Sequence, residues 1–406
     1  MDYTVKNVYG KTSKNPVAVR VPGSKSITAR AFLKAAAAKG ESVLYGAQFS
    51  DDCKTFLNCL EILGIGIKRE NFAVKINGCG GLPPVKSGEV YVGSAGTAAR
   101  FLPAFLAFSD GTYTLTCSDQ MKKRPVAPLV SALEKLGAKF TFKENKNSYP
   151  FIIEGTKQPC LELNVDVTKS SQYLSALLIS SVCAGKPVEI EVNGEHGRNY
   201  VDMTVAMMRD FGASVKEEDG KYVVCGGYSA REYSIEPDVS AACYFYAMNK
   251  ILGTEISVEG ITGRSLQGDM NFINILKTFD GGEIDMGAFS DQALTMAAIA
   301  PYLSAPTRIC GVKHIRGQEC DRINAAAVNL SAMGVKCEEF DDGLTIYPSA
   351  PQPAKIQTFG DHRVAMSFAL TGLRADGIII TDAQVCSKTF KEYFEVLDSL
   401  CDKLVC

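Results

Sequence analysis

Nowhere in its 406 residues does the chain carry the roughly 18 consecutive apolar residues that a helical membrane span requires. Its first residues, Met1-Asp2-Tyr3-Thr4-Val5-Lys6, lack a signal-peptide core, so a cytoplasmic protein is expected. Charge of one sign is not in excess either. The formal net charge is −2, which leaves no global basic field to recruit nucleic acid or an anionic membrane. The 14 cysteines contain no CxxC pair and are scattered through apolar runs such as Val224-Cys225 and Ile309-Cys310. Such placement fits reduced, buried thiols rather than a disulfide framework or a zinc site. Only three histidines occur, His196, His314 and His362, with no HExxH or paired spacing, so no metal is expected. The phosphate cradles GxxxxGK(S/T) and strand-followed GxGxxG are missing, which removes the usual nucleoside triphosphate and dinucleotide sites. No cofactor is expected.

What is present is a globular composition, 46% hydrophobic and 22% charged, on a chain long enough for two domains with full cores. A pattern recurs along it. A strand-like run and a small or acidic polar residue precede an Ala/Leu-rich helix at Ser24-Lys25-Ser26, Ser94-Ala95-Gly96-Thr97 and Ser170-Ser171-Gln172. The signal returns at Asp238-Val239-Ser240, Ser290-Asp291-Gln292 and Asp361-His362-Arg363. These six helices, apolar all round, are expected inside their domains. A more amphipathic helix follows each, starting near Asp51, Pro125, Val201, Asp269, Arg322 and Phe390, and several end at a C-cap glycine. Short alternating runs between them, such as Thr112-Tyr113-Thr114-Leu115-Thr116, read as strands. The unit is strand, buried helix, strand, amphipathic helix, two strands, repeated six times in an α/β (α+β) chain.

Lys25, Arg124, Lys169, Arg198, Arg322, Arg363 and Lys388 each lie within about one turn of such a helix start. A helix N-terminus carries roughly half a positive charge, so a cation there is at the unfavourable end. A local rule broken this often marks a functional site. Free backbone N–H groups flanked by Lys and Arg suit small, strongly anionic ligands such as phosphates and carboxylates.

Nine motifs run in one order: PGSKSITAR (22–30), SDD (50–52), SAGTAAR (94–100), MKKRP (121–125), SSQYLSALL (170–178), SLQGD (265–269), ECDRI (319–323), GDHRVAM (360–366) and SKTFKEYF (387–394). In these motifs the chain resembles the EPSP synthase (3-phosphoshikimate 1-carboxyvinyltransferase) family of enolpyruvyltransferases over nearly its whole length. The resemblance implies two domains of three βαβαββ units each, with helix N-termini facing an interdomain cleft that closes on ligand. Residues 21–233 would form the N-terminal domain, mostly on the shikimate 3-phosphate side. Residues 1–20 plus 234–406 would form the C-terminal domain, with phosphoenolpyruvate contacts and the catalytic carboxylates.

The implied reaction transfers the enolpyruvyl group of phosphoenolpyruvate to the 5-hydroxyl of shikimate 3-phosphate. It releases phosphate through a tetrahedral intermediate, on the shikimate pathway to chorismate and aromatic amino acids. The resemblance assigns phosphoenolpyruvate to Lys25, Gly96, Arg124, Gln172, Arg322, Arg363 and Lys388. It assigns shikimate 3-phosphate to Lys25, Ser26, Arg30, Ser170, Ser171, Gln172, Tyr200, Asp291, His314 and Gln318. Asp291 is the expected base for the hydroxyl, and Glu319 the expected proton carrier to carbon, shared with Lys25. His362 and Lys388 would stabilise the departing phosphate. Read alone, Asp291 is a helix N-cap and Glu319 a first-turn acid. The partners are these two small molecules, with no nucleic acid, membrane or metal, on a monomeric chain. The unmodified run Ala95-Gly96-Thr97-Ala98 implies sensitivity to glyphosate, which occupies the phosphoenolpyruvate site in this family.

Two positions depart from the family pattern. Gln318 stands where lysine is usual, and Gly197 where a serine contacts the shikimate phosphate. Arg198, Arg316 or Lys169 is expected to compensate. Two other readings stay open. One is UDP-N-acetylglucosamine enolpyruvyltransferase, whose reactive cysteine five residues before Arg-Pro is Asp119 here, with Cys117 two residues further away. The other is a non-catalytic protein of the same fold that binds a phosphorylated metabolite.

Overall fold

Ser24, Asp238 and Asp361 each accept a backbone N–H from the first turn of an apolar helix. The helices they start, Lys25–Ala37, Val239–Leu252 and His362–Gly372, are buried on nearly every side. So are Ala98–Ala107, Gln172–Ser181 and Ala293–Ile299. The computed structural model describes residues 1–13, 15–195 and 197–405, and His196 falls outside them. The chain divides into two units, Gly23–Glu236 and a second made of Met1–Pro22 with Pro237–Cys406.

Three four-stranded sheets build the Gly23–Glu236 unit. In one, Ser87–Tyr91 lies parallel to Thr112–Thr116, and the buried helix Ala98–Ala107 makes the crossover between them. Phe151–Glu154 and Lys139–Phe142 then add antiparallel. Glu162–Asp166 and Val188–Asn193 repeat the arrangement around Gln172–Ser181. In the remaining sheet the parallel partner of Lys39–Tyr45 is Glu232–Ser234, so the last strand of the unit completes its first sheet. Helix Ala98–Ala107 packs on Gln172–Ser181, and the rings of Phe32, Phe56 and Phe101 meet edge-on nearby, with successive centroids 6.5 Å apart.

In the other unit the first residues of the chain supply strands, which is why they belong there. Val17–Val19 pairs parallel with Ile256–Val258, and Tyr3–Thr4 pairs antiparallel with Ile378–Ile380. The central sheet keeps the full pattern: Gly282–Asp285 is parallel to Thr307–Cys310, followed by Gly343–Ile346 and Cys337–Phe340. The other two sheets of this unit have two and three strands. The sixfold repeat is therefore regular in its helices but shortened in its strands. After the helix Met270–Leu276 the chain passes directly into Gly282–Asp285, the parallel strand of the next sheet.

A second difference touches the site. The fifth buried helix does not begin at Asp291. A 3-10 stretch, Gly287–Gln292, precedes it, kinked at Phe289 (φ −137°, ψ 43°), and regular helix runs only over Ala293–Ile299. Asp291 and Gln292 thus sit on a 3-10 turn after the kink rather than inside the regular helix.

Candidate active site

Arg322 opens the helix Arg322–Ala332, capped by Asp321, and its guanidinium is 2% exposed. Three carboxylates meet it. Nε donates to Asp361 at 2.8 Å, Nη1 to Asp291 at 3.0 Å and Nη2 to Glu319 at 2.9 Å. The second oxygen of Asp291 accepts from Arg363 Nη2 at 2.9 Å, and the second oxygen of Glu319 lies 3.3 Å from Lys388 Nζ. Burial works against the Arg322 charge, but Asp361, Glu319 and Asp291 outweigh it and push its pKa up, so it stays protonated. A buried cation of this kind persists only when its donors are matched.

The charges in this cluster balance: Arg322, Arg363 and Lys388 against Asp291, Glu319 and Asp361. An anion drawn to Arg363 or Lys388 shares that cation with Asp291 or Glu319. A carboxylate that loses part of its cation holds a proton more readily. The arrangement couples anion binding to proton transfer. His362, 1% exposed, is the first residue of the next helix, its ring 3.6 Å from the Asp361 carboxylate. His314 Nε2 is 2.8 Å from Ser290 Oγ, beside Asp291, and Gln318 directly precedes Glu319. The sequence-expected residues Asp291, Glu319, Arg322, Arg363 and Lys388 are thus in direct contact.

The Gly23–Glu236 unit carries a second set. Lys25 is the first residue of its helix, and its Nζ lies 3.5 Å from Asp52. The guanidinium of Arg30 is 2% exposed and is held by Thr204 Oγ1 at 2.7 Å, the Ser26 carbonyl at 3.0 Å and the Tyr200 carbonyl at 3.3 Å. Its Cζ is also 5.8 Å from the Tyr200 ring. Arg30 thereby fixes two other residues expected to hold shikimate 3-phosphate. Ser170 Oγ accepts from the Gln172 N–H at 3.2 Å, and Ser171 is the N-cap of the helix Gln172–Ser181. Gly197 has φ +57°, and a Cβ there would lie 2.6 Å from Ser171 Oγ. A Cβ on Gly96 would lie 3.0 Å from Arg124 Nη1, which places Gly96 against that guanidinium.

Two expected compensators are engaged elsewhere. Arg198 pairs with Asp202 at 2.9 Å and Glu217 at 2.5 Å, and Arg316 pairs with Asp321 and Glu339, each at 2.8 Å. Lys169 is exposed. The sequence reading also missed three residues that position the site. Asp361 anchors Arg322 and donates nothing to the repeat pattern beyond its cap, so only its contact with a distant arginine reveals it. Asp52 faces Lys25 from the SDD motif. Arg100 donates to the Gly96 carbonyl at 3.4 Å and to the Pro125 carbonyl at 2.8 Å, tying the Gly96 turn to the residue after Arg124.

A family profile described as EPSP synthase (3-phosphoshikimate 1-carboxyvinyltransferase) matches residues 11–397. A 3-phosphoshikimate 1-carboxyvinyltransferase of Trichormus variabilis is 40% identical over 401 residues, covering 93% of this chain and 94% of that protein. The chain belongs to the EPSP synthase family. A second relative, 3-phosphoshikimate 1-carboxyvinyltransferase 2 of Halalkalibacterium halodurans, is 35% identical over 409 residues, 94% of this chain and 91% of its own. The EPSP synthase of Acinetobacter baumannii shares the fold, with TM-score 0.82, 22% identity and 98% of each chain covered. The enolpyruvyl transferase NikO of Streptomyces tendae does so at TM-score 0.75 and 15% identity, over 98% of this chain and 96% of its own.

Membership in the EPSP synthase family fits the chemistry at Cys117. Burial pushes that thiol up to about 11, so it is not a ready nucleophile of the kind the nucleotide-sugar enzymes use. Among the described residues no helix is long and apolar enough to cross a membrane, and the thirteen described cysteines are free thiols.

Proposed function

We propose that this EPSP synthase transfers the enolpyruvyl group of phosphoenolpyruvate to the 5-hydroxyl of shikimate 3-phosphate with the residues described above in defined roles. The observation that carries the assignment is that Asp291 and Glu319 both bind Arg322 while each also holds a second cation. The hydroxyl oxygen attacks C2 of phosphoenolpyruvate as Asp291 takes its proton, and Glu319 delivers a proton to the methylene carbon. The resulting tetrahedral intermediate carries a methyl group and the phosphate. In the second half, a proton leaves the methyl group to Glu319 and the C–O bond to phosphate breaks, the hydroxyl proton taken by Asp291 ending on the released phosphate, with Lys388 and His362 receiving the developing charge. Each transfer by a positioned acid or base contributes about 10²–10⁴ in rate.

Arg124, Arg363 and Lys388 suit the phosphate and carboxylate of phosphoenolpyruvate by charge and, for the arginines, by bidentate geometry. Lys25, Ser170, Ser171, Gln172 and the Arg30-held pair Ser26 and Tyr200 suit shikimate 3-phosphate. His314 and Gln318 adjoin the carboxylates and extend that site. The free thiols support a cytoplasmic setting.

Running the reaction in deuterated water tests the role of Glu319. The proposal expects deuterium to enter the methylene carbon of phosphoenolpyruvate with the parent protein and not with Glu319→Gln. Unchanged incorporation in Glu319→Gln would assign the carbon proton to another group.

A further inference from the structure

Asp291 receives donors from two arginines, and that alone would make it a poor base. Two guanidinium groups on one carboxylate hold its proton affinity down. A base for a hydroxyl needs the opposite bias. Behind Asp291 lies a second carboxylate that the mechanism above does not use.

Asp269, at the start of the helix Met270–Leu276, is 5% exposed. Among the described residues only neutral groups donate to its carboxylate: the Ser240 hydroxyl and, at 3.0 Å, the side-chain amide of Gln292. Gln292 is the residue after Asp291 on the kinked stretch, and it is fully buried, its Oε1 fixed by Thr295 Oγ1 at 3.0 Å. The ionisable groups that face Asp269 come from three packed elements. The helix Val239–Leu252 contributes the Cys243 thiol; the kinked stretch contributes Asp291; the helix His362–Gly372 contributes Arg363. Burial keeps the Cys243 thiol and the Tyr244 phenol in their neutral forms.

We infer that Asp269 is a positioning residue for the transfer reaction: its buried carboxylate holds the 3-10 turn that carries Asp291 through Gln292 and supplies the negative charge that makes Asp291 an effective base. The inference rests on Asp291 being the base. Burial first, and then the neighbouring Asp291 charge, push Asp269 up to about 6, against an opposing pull from Arg363. Two neighbouring carboxylates each make the other harder to ionise. Removing the charge of one lowers the proton affinity of the other.

The test is the pH profile of kcat/KM for Asp269→Asn beside Asp291→Asn. The expected result for Asp269→Asn is an acid limb moved to lower pH by about one unit, with kcat at pH 8 about three- to tenfold lower and KM for phosphoenolpyruvate unchanged. A merely structural Asp269 would lower kcat without moving the limb, and that result overturns the inference. If Asp291→Asn itself leaves the limb and the rate intact, the base has been misassigned, and both readings fall. Should Asp269→Asn not fold, Ser240→Ala serves in its place. Losing that donor raises the Asp269 proton affinity, so the rate at pH 7 falls while the rate at pH 9 is kept. Equal losses at both pH values would contradict the inference.

Discussion

A Cβ on Gly96 would come within 3.0 Å of Nη1 and 3.4 Å of Nη2 of Arg124. Gly96→Ala therefore displaces the guanidinium rather than filling empty space. Arg100 holds the Gly96 carbonyl and the Pro125 carbonyl on either side, so Arg124 yields and the turn does not. The substitution is expected to raise KM for phosphoenolpyruvate about tenfold, the size of one weakened charge-assisted bond, and to weaken glyphosate inhibition with it. Steady-state kinetics with and without glyphosate check this. An unchanged KM would mean that Arg124 does not hold phosphoenolpyruvate.

Gly197 is a different case. Its φ of +57° suits glycine, and Ser171 Oγ occupies the place of a side chain. Gly197→Ser is expected to destabilise the protein by about 1–3 kcal/mol and to raise KM for shikimate 3-phosphate. Urea unfolding and kinetics measure the two effects. A serine that leaves stability unchanged and tightens shikimate 3-phosphate would show that the loop readily adopts the family geometry.

Lys34, one turn after Arg30, is fully buried, and its Nζ has no hydrogen-bond partner among the described residues. Burial, and then the Arg30 charge, push its pKa well below the usual lysine value, against a smaller pull from Asp210. The unfolded chain holds this proton up to about pH 10.5 and the folded chain gives it up at lower pH, so stability rises with pH between those two points and the rise is lost toward acid. Lys34→Met is expected to remove one proton from the slope, about 1.4 kcal/mol per pH unit, and to stabilise the protein at pH 7. Urea unfolding at pH 7 and 9 gives the slope. The same slope in Lys34→Met would show that Lys34 is protonated in the fold.

Much of this was legible before any coordinates. The six apolar helices, three of them capped by Ser24, Asp238 and Asp361, were visible because they are runs with no polar face, and a helix without a polar face has to be interior. The cations at helix starts were visible because they break a local electrostatic preference. The shortened fourth and sixth sheets were not, since Val17–Val19 and Tyr3–Thr4 find partners more than 200 residues away and pairing at that distance leaves no local signal. The kink at Phe289 was hidden for a related reason: the residues after it, Asp291 and Gln292, bond to Arg322, Arg363 and Asp269, which lie far off in sequence. Asp361 and Asp269 were read as caps or passed over, because a carboxylate's role among arginines depends on which arginines the fold delivers.

The central claim is tested most directly by phosphate release on mixing the protein with phosphoenolpyruvate and shikimate 3-phosphate, with UDP-N-acetylglucosamine as a parallel acceptor. The account predicts release with shikimate 3-phosphate alone, lowered about 10²–10⁴-fold in Asp291→Asn and in Glu319→Gln. Release only with the nucleotide sugar, or binding of both phosphorylated ligands with no release, would contradict it.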